Sequence, residues 1–396
     1  MKHSILLLIG LAWLFQVEAQ TETSASFEKI QLTADYLSEG IDAGDLNGDG
    51  HFDVVAGAQA WLGPDFRKTF LLDSLRKFPL TGPGLSGYSK SFFNRVVDLD
   101  GSGLADVVRI GVPGSPAQLL LDPAQKSISG TYDRQWEDMG NESPIFFGHN
   151  GVPSLVAFSG GSIRWISLNG TIDASISKKD KKRFPVFIHG LGVGDINGDG
   201  RIDVLANAGW WQQPQDWKGE SVPWEFHAHR FSKGQGGAQM PVFDVDGDGD
   251  ADVISALNAH AYGLSWFEQV KDDAGQTSFK EHRILADTPT EGEFNFSQLH
   301  AMEAADMDGD GVLDIVTGKC FYAHNGRDPG SHDGAVLYWF KTQRNADGSV
   351  SFEPHLIDGD SGVGRQIQLK DINADGRPDV LTSNKKGVFV FLNTLN

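Results

Sequence analysis

Cysteine is almost missing from this sequence. Cys320 stands alone in 396 residues, so no intramolecular disulfide can form. Basic residues are also scarce: 33 Lys and Arg face 53 Asp and Glu, a net charge of −20. That balance argues against nucleic acid or an anionic membrane surface as the partner. Long apolar runs are missing after the first residues. The one present, Ile5–Phe15, follows Lys2 and His3 and leads to Val17-Glu18-Ala19. This is the pattern of a secretory signal peptide, and it is too short to span a bilayer. Residues 1–19 are set aside as a signal segment. The mature chain is expected to be soluble, secreted or periplasmic, without membrane insertion. The sequence also lacks a nucleophile triad, a Walker loop, and any HxH or HExxH zinc spacing. An exported chain of this size without disulfides needs another staple, and metal is the candidate.

An acidic loop recurs six times, as Asp-x-Asp/Asn-x-Asp-Gly-x-x-Asp followed by an apolar run. The copies begin at Asp45, Asp98, Asp195, Asp244, Asp306 and Asp371. Between the second and third, the segment Phe146–Phe158 fits the same frame with Gly151 at the loop glycine, but carries none of the acids. Counting it, seven units recur at a period near 50 residues, each with short β-type segments bounded by Gly, Asp, Asn and Pro. That period predicts an all-β, seven-bladed β-propeller over residues 26–396, with four strands per blade. Third strands are rich in aromatics. Fourth strands read Phe-x-x-His, which sets His229, His282 and His355 at one equivalent position as scaffold. The last unit stops after three strands, while Phe27–Leu32 matches the fourth-strand pattern with no blade before it. This segment is expected to complete the last blade and close the ring, leaving no exposed inner edges.

Calcium takes six to eight oxygens, and the loop offers side chains at positions 1, 3, 5 and 9 with a carbonyl at 7. The candidate ligands are Asp45, Asn47, Asp49, His51 and Asp53 in the first loop, and Asp98, Asp100, Ser102 and Asp106 in the second. The third supplies Asp195, Asn197, Asp199, Arg201 and Asp203; the fourth Asp244, Asp246, Asp248, Asp250 and Asp252. The fifth supplies Asp306, Asp308, Asp310, Val312 and Asp314; the last Asp371, Asn373, Asp375, Arg377 and Asp379. The second loop is the weakest, with Ser102 at position 5. Five to six structural Ca2+ sites are expected. No loop has glutamate at its twelfth position and strands rather than helices flank it, which excludes an EF-hand.

These loops resemble the FG-GAP/VCBS repeats of secreted bacterial proteins and integrin-type propellers. The resemblance implies that the calcium loop is the hairpin between the first and second strands and that its role is structural. Second-to-third-strand loops and interblade connections then share the opposite face, where they differ from blade to blade, as a site built on a repeated scaffold should. His260, Tyr262, His300, Lys319, His324 and Arg365 are candidate catalytic residues there. Trp210, Trp211, Gln239, Asn258, Gln298, Tyr322, Gln366 and Lys385 are candidate substrate contacts, the tryptophans as a sugar-stacking platform. The loop histidines could also hold an additional divalent metal through imidazole nitrogens.

A second resemblance, carried by the segments around Gly236–Glu268 and Asn295–Lys319, is to the propeller of aldos-2-ulose dehydratases and related polysaccharide lyases. It implies a carbohydrate substrate, uronic acid or keto-sugar, and a β-elimination. His260 or His300 is then the base, Arg365 or Lys319 the charge stabiliser and Tyr262 the acid. The competing expectation is a non-catalytic propeller that binds glycan or protein. The basic run Lys178–Arg183 reads as a solvated loop, with contact to an acidic glycan as the alternative.

Overall fold

The computed structural model describes residues 27–395 apart from 83, 126–133, 137–141 and 274. The expected signal segment lies outside the described residues. Seven four-stranded antiparallel sheets follow one another as the blades of a β-propeller. Blade 4 shows the plan: Leu191–Gly194, Asp203–Ala206, Gly209–Gln212 and Glu225–Ala228, in that order outward. Second strands such as Asp203–Ala206 and Asp53–Ala56 are buried at every residue. Each is covered on both faces by neighbouring blades, so apolar residues run continuously there without period-two alternation. The first strands line an axial cavity of about 270 Å³, with Phe93, Ile145, Val193, Val242, Met302 and Ile367 among its walls. The seventh sheet takes Ile367–Lys370, Asp379–Asn384 and Gly387–Asn393 from the end of the chain, and Phe27–Thr33 as its outer strand. Phe27 lies opposite Asn393, and Ile30 opposite Val390. No helix among the described residues is long and apolar enough to cross a membrane.

The acidic loops join first and second strands, and their last aspartate does the same work in six blades. Asp203 accepts the backbone N–H of Ile196 in its own loop at 3.0 Å and that of Gln213, past the third strand, at 2.9 Å. Asp53, Asp106, Asp252, Asp314 and Asp379 repeat this pair of contacts. Each carboxylate thus ties the loop to the outer half of its blade. The first aspartate of a loop accepts from the glycine at position six, as in Gly50 N–H to Asp45 and Gly200 N–H to Asp195. That glycine has positive φ (83° at both Gly50 and Gly200), where a Cβ would strain the bend. The blade 3 hairpin has no acids and needs none. Ile145–His149 turns directly into Val152–Ser159 through Asn150-Gly151, both at positive φ, the signature of a two-residue type I′ hairpin.

Two sequence expectations are corrected here. Trp210, Trp266 and Trp339 each stack on a fourth-strand imidazole, with centroids 4.1, 4.3 and 4.5 Å apart. The imidazoles are His227, His282 and His355. Strand register makes His227, not His229, the equivalent residue, and Trp224 takes the place of the leading phenylalanine. Trp210 and Trp211 are each only 3% exposed, within separate apolar clusters between blades, so neither presents a ring face to a sugar. In the basic run, Arg183 lies over the rings of Phe226 and Trp211, at 4.0 and 4.9 Å.

Replacing a ninth-position aspartate should cost far more than replacing an exposed loop acid. Asp203→Ala leaves two backbone donors without their acceptor and is expected to destabilise by about 2–4 kcal/mol. The exposed Asp49→Ala change should stay near or below about 1 kcal/mol in calcium-free buffer. Equilibrium urea unfolding of the two variants checks the ranking.

Candidate functional site

One position of the repeat frame builds the mouth of the ring opposite the acidic hairpins. Six residues ahead of Asp45, Asp98, Asp195, Asp244, Asp306 and Asp371 stand Glu39, Phe92, His189, Ala238, His300 and Arg365. Strand register gives Glu142 as the equivalent in blade 3, two residues before Pro144 as His189 is two before Leu191. All but His300, which lies within Leu299–Ala305, precede the first strand of their blade, and the acidic loop, or in blade 3 the Asn150-Gly151 turn, follows that strand. The two features therefore lie at opposite ends of the inner strands. Five of these seven residues are ionisable, and all five are buried.

His189, His260 and His300 bring ring nitrogens within 4.8 Å of one another. His260 comes from the second-to-third-strand loop of blade 5 and is turned by the contact of its N–H with Asn258 Oδ1. Its Nε2 lies 3.2 Å from His189 Nε2, and its Nδ1 lies 3.2 Å from Asp328 Oδ2. His300 Nδ1 faces the carbonyl of Gln298 at 3.2 Å. A carboxylate and a carbonyl only accept, so both Nδ1 atoms carry the proton, and neutral rings then hold a lone pair on Nε2. They are neutral: burial, reinforced by the Arg365 charge, holds His300 well below the usual imidazole range. Burial and then Arg365 press His189 down to about 3, while burial and then His189 press His260 down to about 4. His300 Nε2 and His189 Nδ1 are buried and have no hydrogen-bond partner.

Around the histidines lies a shell of buried charge. Arg365 is 1% exposed; its Nε is 2.9 Å from Glu142 Oε2, and its Nη1 donates to Cys320 Sγ at 3.1 Å. The Arg365–Glu142 approach is too bent for a hydrogen bond, so that carboxylate oxygen has none, although it also lies 3.7 Å from His189 Nε2. Burial opposes the Arg365 charge, but Cys320, Glu142 and Glu39 more than offset it and raise its pKa. Glu39 is pushed up by burial, against the pull of Arg365 and Lys385.

Several candidates from the sequence play roles other than those expected. Arg365 and the fully buried Lys319 cannot touch a substrate, so neither can be its direct charge stabiliser. Lys319 Nζ instead donates to Gln298 Oε1 at 3.1 Å, and the Gln298 amide reaches Asp328 Oδ2 at 3.3 Å and Ser331 Oγ at 3.1 Å. His300 is fully buried, which removes it as a base toward an external carbon. Gln239 bridges Arg365 O and Met302 N, while Gln366 accepts from the N–H groups of Ile41 and Asn94. These two glutamines cross-link the inner strands beneath the mouth. Lys385 is buried, donates to Tyr322 O at 3.0 Å and lies 4.5 Å from the centre of the Tyr88 ring.

The accessible groups are on the rim. His324 is 40% exposed, and its Nδ1 lies 2.9 Å from Asp328 Oδ2. The Tyr262 hydroxyl is half-buried against Gly330 on the same loop, where a Cβ would lie 2.8 Å from it. Gln298, Tyr322, His324 and Asn325 all have left-handed backbone, with φ of 63°, 54°, 48° and 58°. Among the described residues, four of the eight non-glycine residues with positive φ therefore sit at this one mouth. Such strain concentrates where function needs a fixed geometry. Reading the sequence missed His189, Glu142 and Asp328. His189 was in view in the repeat frame. Glu142 was not, because aligning on Gly151 puts Gly140 at that position and only strand register brings Glu142 there. Asp328 has no such signal, because a long blade 6 loop delivers it.

Residues 244–317 match the FG-GAP-like repeat family and span two successive acidic loops. No curated protein matches the chain.

The depressed imidazoles give a signed prediction. His189 in the unfolded chain takes up a proton near its ordinary value of about 6.5, but in the fold only near 3. Its burial therefore contributes fully above about pH 6.5, and the contribution is lost as pH falls toward 3. The stability of the wild type relative to His189→Leu should decline between pH 7 and pH 4, measured by urea unfolding. The wild-type imidazole resonances of His189 and His260 should remain those of neutral rings at pH 5.

Proposed function

We propose, on the premise that this chain is a seven-bladed propeller of the FG-GAP-repeat type, that its mouth is a carbohydrate-processing site. The reaction is a β-elimination on a sugar bearing a carboxylate or carbonyl, the class to which uronic acids and keto-sugars belong. The observation that carries this reading is the rim dyad, His324 Nδ1 held at 2.9 Å by Asp328 above a group of neutral imidazoles. An Nδ1–H given to a carboxylate leaves the other ring nitrogen as a base, with its orientation set by the partner. That base takes the proton from the carbon next to the carboxylate or carbonyl. The released electron pair forms the carbon–carbon double bond as the bond to the β-oxygen breaks. The departing oxygen takes a proton from Tyr262. Exchange with water then returns both side chains to their starting forms.

The opposite face is proposed as a set of calcium staples. Carboxylate oxygens of Asp98, Asp100 and Asp106 converge within 4.8 Å, as do those of Asp244, Asp246 and Asp248, and those of Asp306, Asp308 and Asp314. The residues fit a hard cation, which needs several anionic oxygens close together. Beside the Asp244 loop, Arg344 donates to Asp244 O at 2.7 Å and lies 3.7 Å from Asp244 Oδ1. In other loops a side chain already supplies positive charge: Lys341 bridges Asp308 and Asp310, and Arg201 and Arg377 pair with Asp199 and Asp375. Bound there, calcium would supply charge neutralisation and rigidity, with no part in the elimination.

Export from the cell and carbohydrate as the partner belong to the same proposal. A panel of uronic-acid polysaccharides and keto-sugars, followed by the ultraviolet absorbance of the unsaturated product, tests the reaction. His324→Ala should lower kcat by about 10²–10⁴-fold, with the fold intact by circular dichroism. Glycan binding without turnover across the panel would instead assign the chain to the non-catalytic propellers. Calcium has its own signed test. Burial, followed by neighbouring carboxylates and against backbone hydrogen bonds, pushes Asp203, Asp252 and Asp314 up to about 7. Below that value protons compete with the cation, so the rise in Tm on adding calcium should be larger at pH 8 than at pH 5.

A further inference from the structure

The elimination proposed above has a base and an acid on the rim, but no direct partner for the negative charge that develops on the substrate oxygen. The two cations expected for that purpose, Arg365 and Lys319, are sealed beneath the surface. The groups between them and the rim are nitrogens. His260 and His300 both commit Nδ1–H to an oxygen acceptor, which leaves the lone pair on Nε2 in each, in a group whose ring nitrogens lie within 4.8 Å of one another. In a metal-free molecule His189 can donate Nε2–H to one of them, across the 3.2 Å to His260. The lone pair of His300 then remains buried and unpartnered. An unmet acceptor in a dry site is unfavourable, and here the backbone of Gln298 is held at φ 63° in delivering it.

We infer that His189, His260 and His300 form a three-histidine site for a divalent first-row transition metal, of which zinc is the first to test. Three imidazole nitrogens with one remaining position is a donor set that zinc accepts at about 2.0–2.1 Å per bond. Nitrogens already within 4.8 Å of one another reach that geometry when each moves inward by less than about 1 Å. Asp328 on His260 and the Gln298 carbonyl on His300 are outer partners of the kind that fix a ligating ring and its tautomer. Glu142 Oε2, buried, without a hydrogen bond and 3.7 Å from His189 Nε2, supplies the nearest anionic oxygen. The donors separate the two kinds of metal in this chain. Neutral nitrogens suit zinc and its neighbours and discriminate against calcium, whereas the acidic hairpins offer only oxygen. The site stands on its own geometry. Only its use as the charge stabiliser of the elimination rests on the reading given above.

The test uses the full chain, stripped with a chelator and then kept in excess calcium so that the oxygen sites are filled. Cobalt(II) is titrated as the probe, followed by its visible absorption and by bound metal per chain after dialysis. The expected result is one tightly held ion per chain, with the intense visible bands of low-coordinate cobalt, displaced by zinc. His189→Ala and His300→Ala should each weaken binding by at least about 10-fold, while His324→Ala should keep it. Absence of stoichiometric cobalt binding to the folded wild type would overturn the inference. So would retention in both His189→Ala and His300→Ala, or loss in His324→Ala, which would move the ion to His260, His324 and Asp328. If a histidine variant fails to fold, the wild-type stoichiometry and the His260 imidazole resonance, shifted by zinc but not by calcium, still decide the matter. No substrate enters this measurement, so failure of the elimination leaves it standing, and its own failure leaves the rim dyad to be judged separately.

Discussion

A carboxylate buried at the ninth position of each acidic loop is the interaction on which the rest of the molecule depends. A nine-residue hairpin made mostly of polar residues and glycine has little apolar surface with which to dock itself. The ninth aspartate solves this by accepting one backbone N–H from inside the loop and one from the third strand or just past it, and six blades do so. Each blade is thereby fixed internally, and its two-sided apolar second strand can pack between neighbours. The third blade makes the same point by contrast. With a tight Asn-Gly turn it has no loop to hold, and the acids are gone.

Much of this was legible in the sequence, because the repeat itself is a physical constraint. A loop that must place acceptors for defined backbone donors cannot drift, so its aspartates recur in register and expose the blade count. The tryptophans were harder. Trp210 and Trp211 look like a surface platform because a Gln/Pro/Asp loop follows them, yet both point between blades, and Trp210 stacks on His227. Alternation along a short strand is a weak guide when both faces are buried, and the same ambiguity shifted the expected histidine from His227 to His229.

The mouth was half legible for a different reason. Searching the irregular loops finds His260, His324 and Tyr262, since these break the pattern. It passes over His189, which keeps the pattern in position while changing in chemistry, and over Glu142, which only strand register brings to that position. One frame position holds Glu39, Phe92, Glu142, His189, Ala238, His300 and Arg365. The scaffold thus delivers seven side chains to one ring and leaves their identity open. Opposite charges fill part of that ring: Arg365 lies between Glu142 and Cys320, with Glu39 near enough to sustain its charge. Breaking such a buried set by removing one partner generally costs about 3–5 kcal/mol. The histidines are therefore held by surroundings that cannot easily rearrange, with ring nitrogens within 4.8 Å of one another.

The account divides the molecule by donor chemistry: oxygen at the hairpin face, where aspartates hold the fold, and nitrogen at the mouth, where the reaction is proposed. The most direct test is a diffraction experiment on crystals grown with zinc and excess calcium, with data collected on both sides of the zinc absorption edge. The account predicts one edge-dependent peak, bounded by His189, His260 and His300, and density in the acidic hairpins that does not change across the edge. An edge-dependent peak in the hairpins, or none among the three histidines, would contradict it.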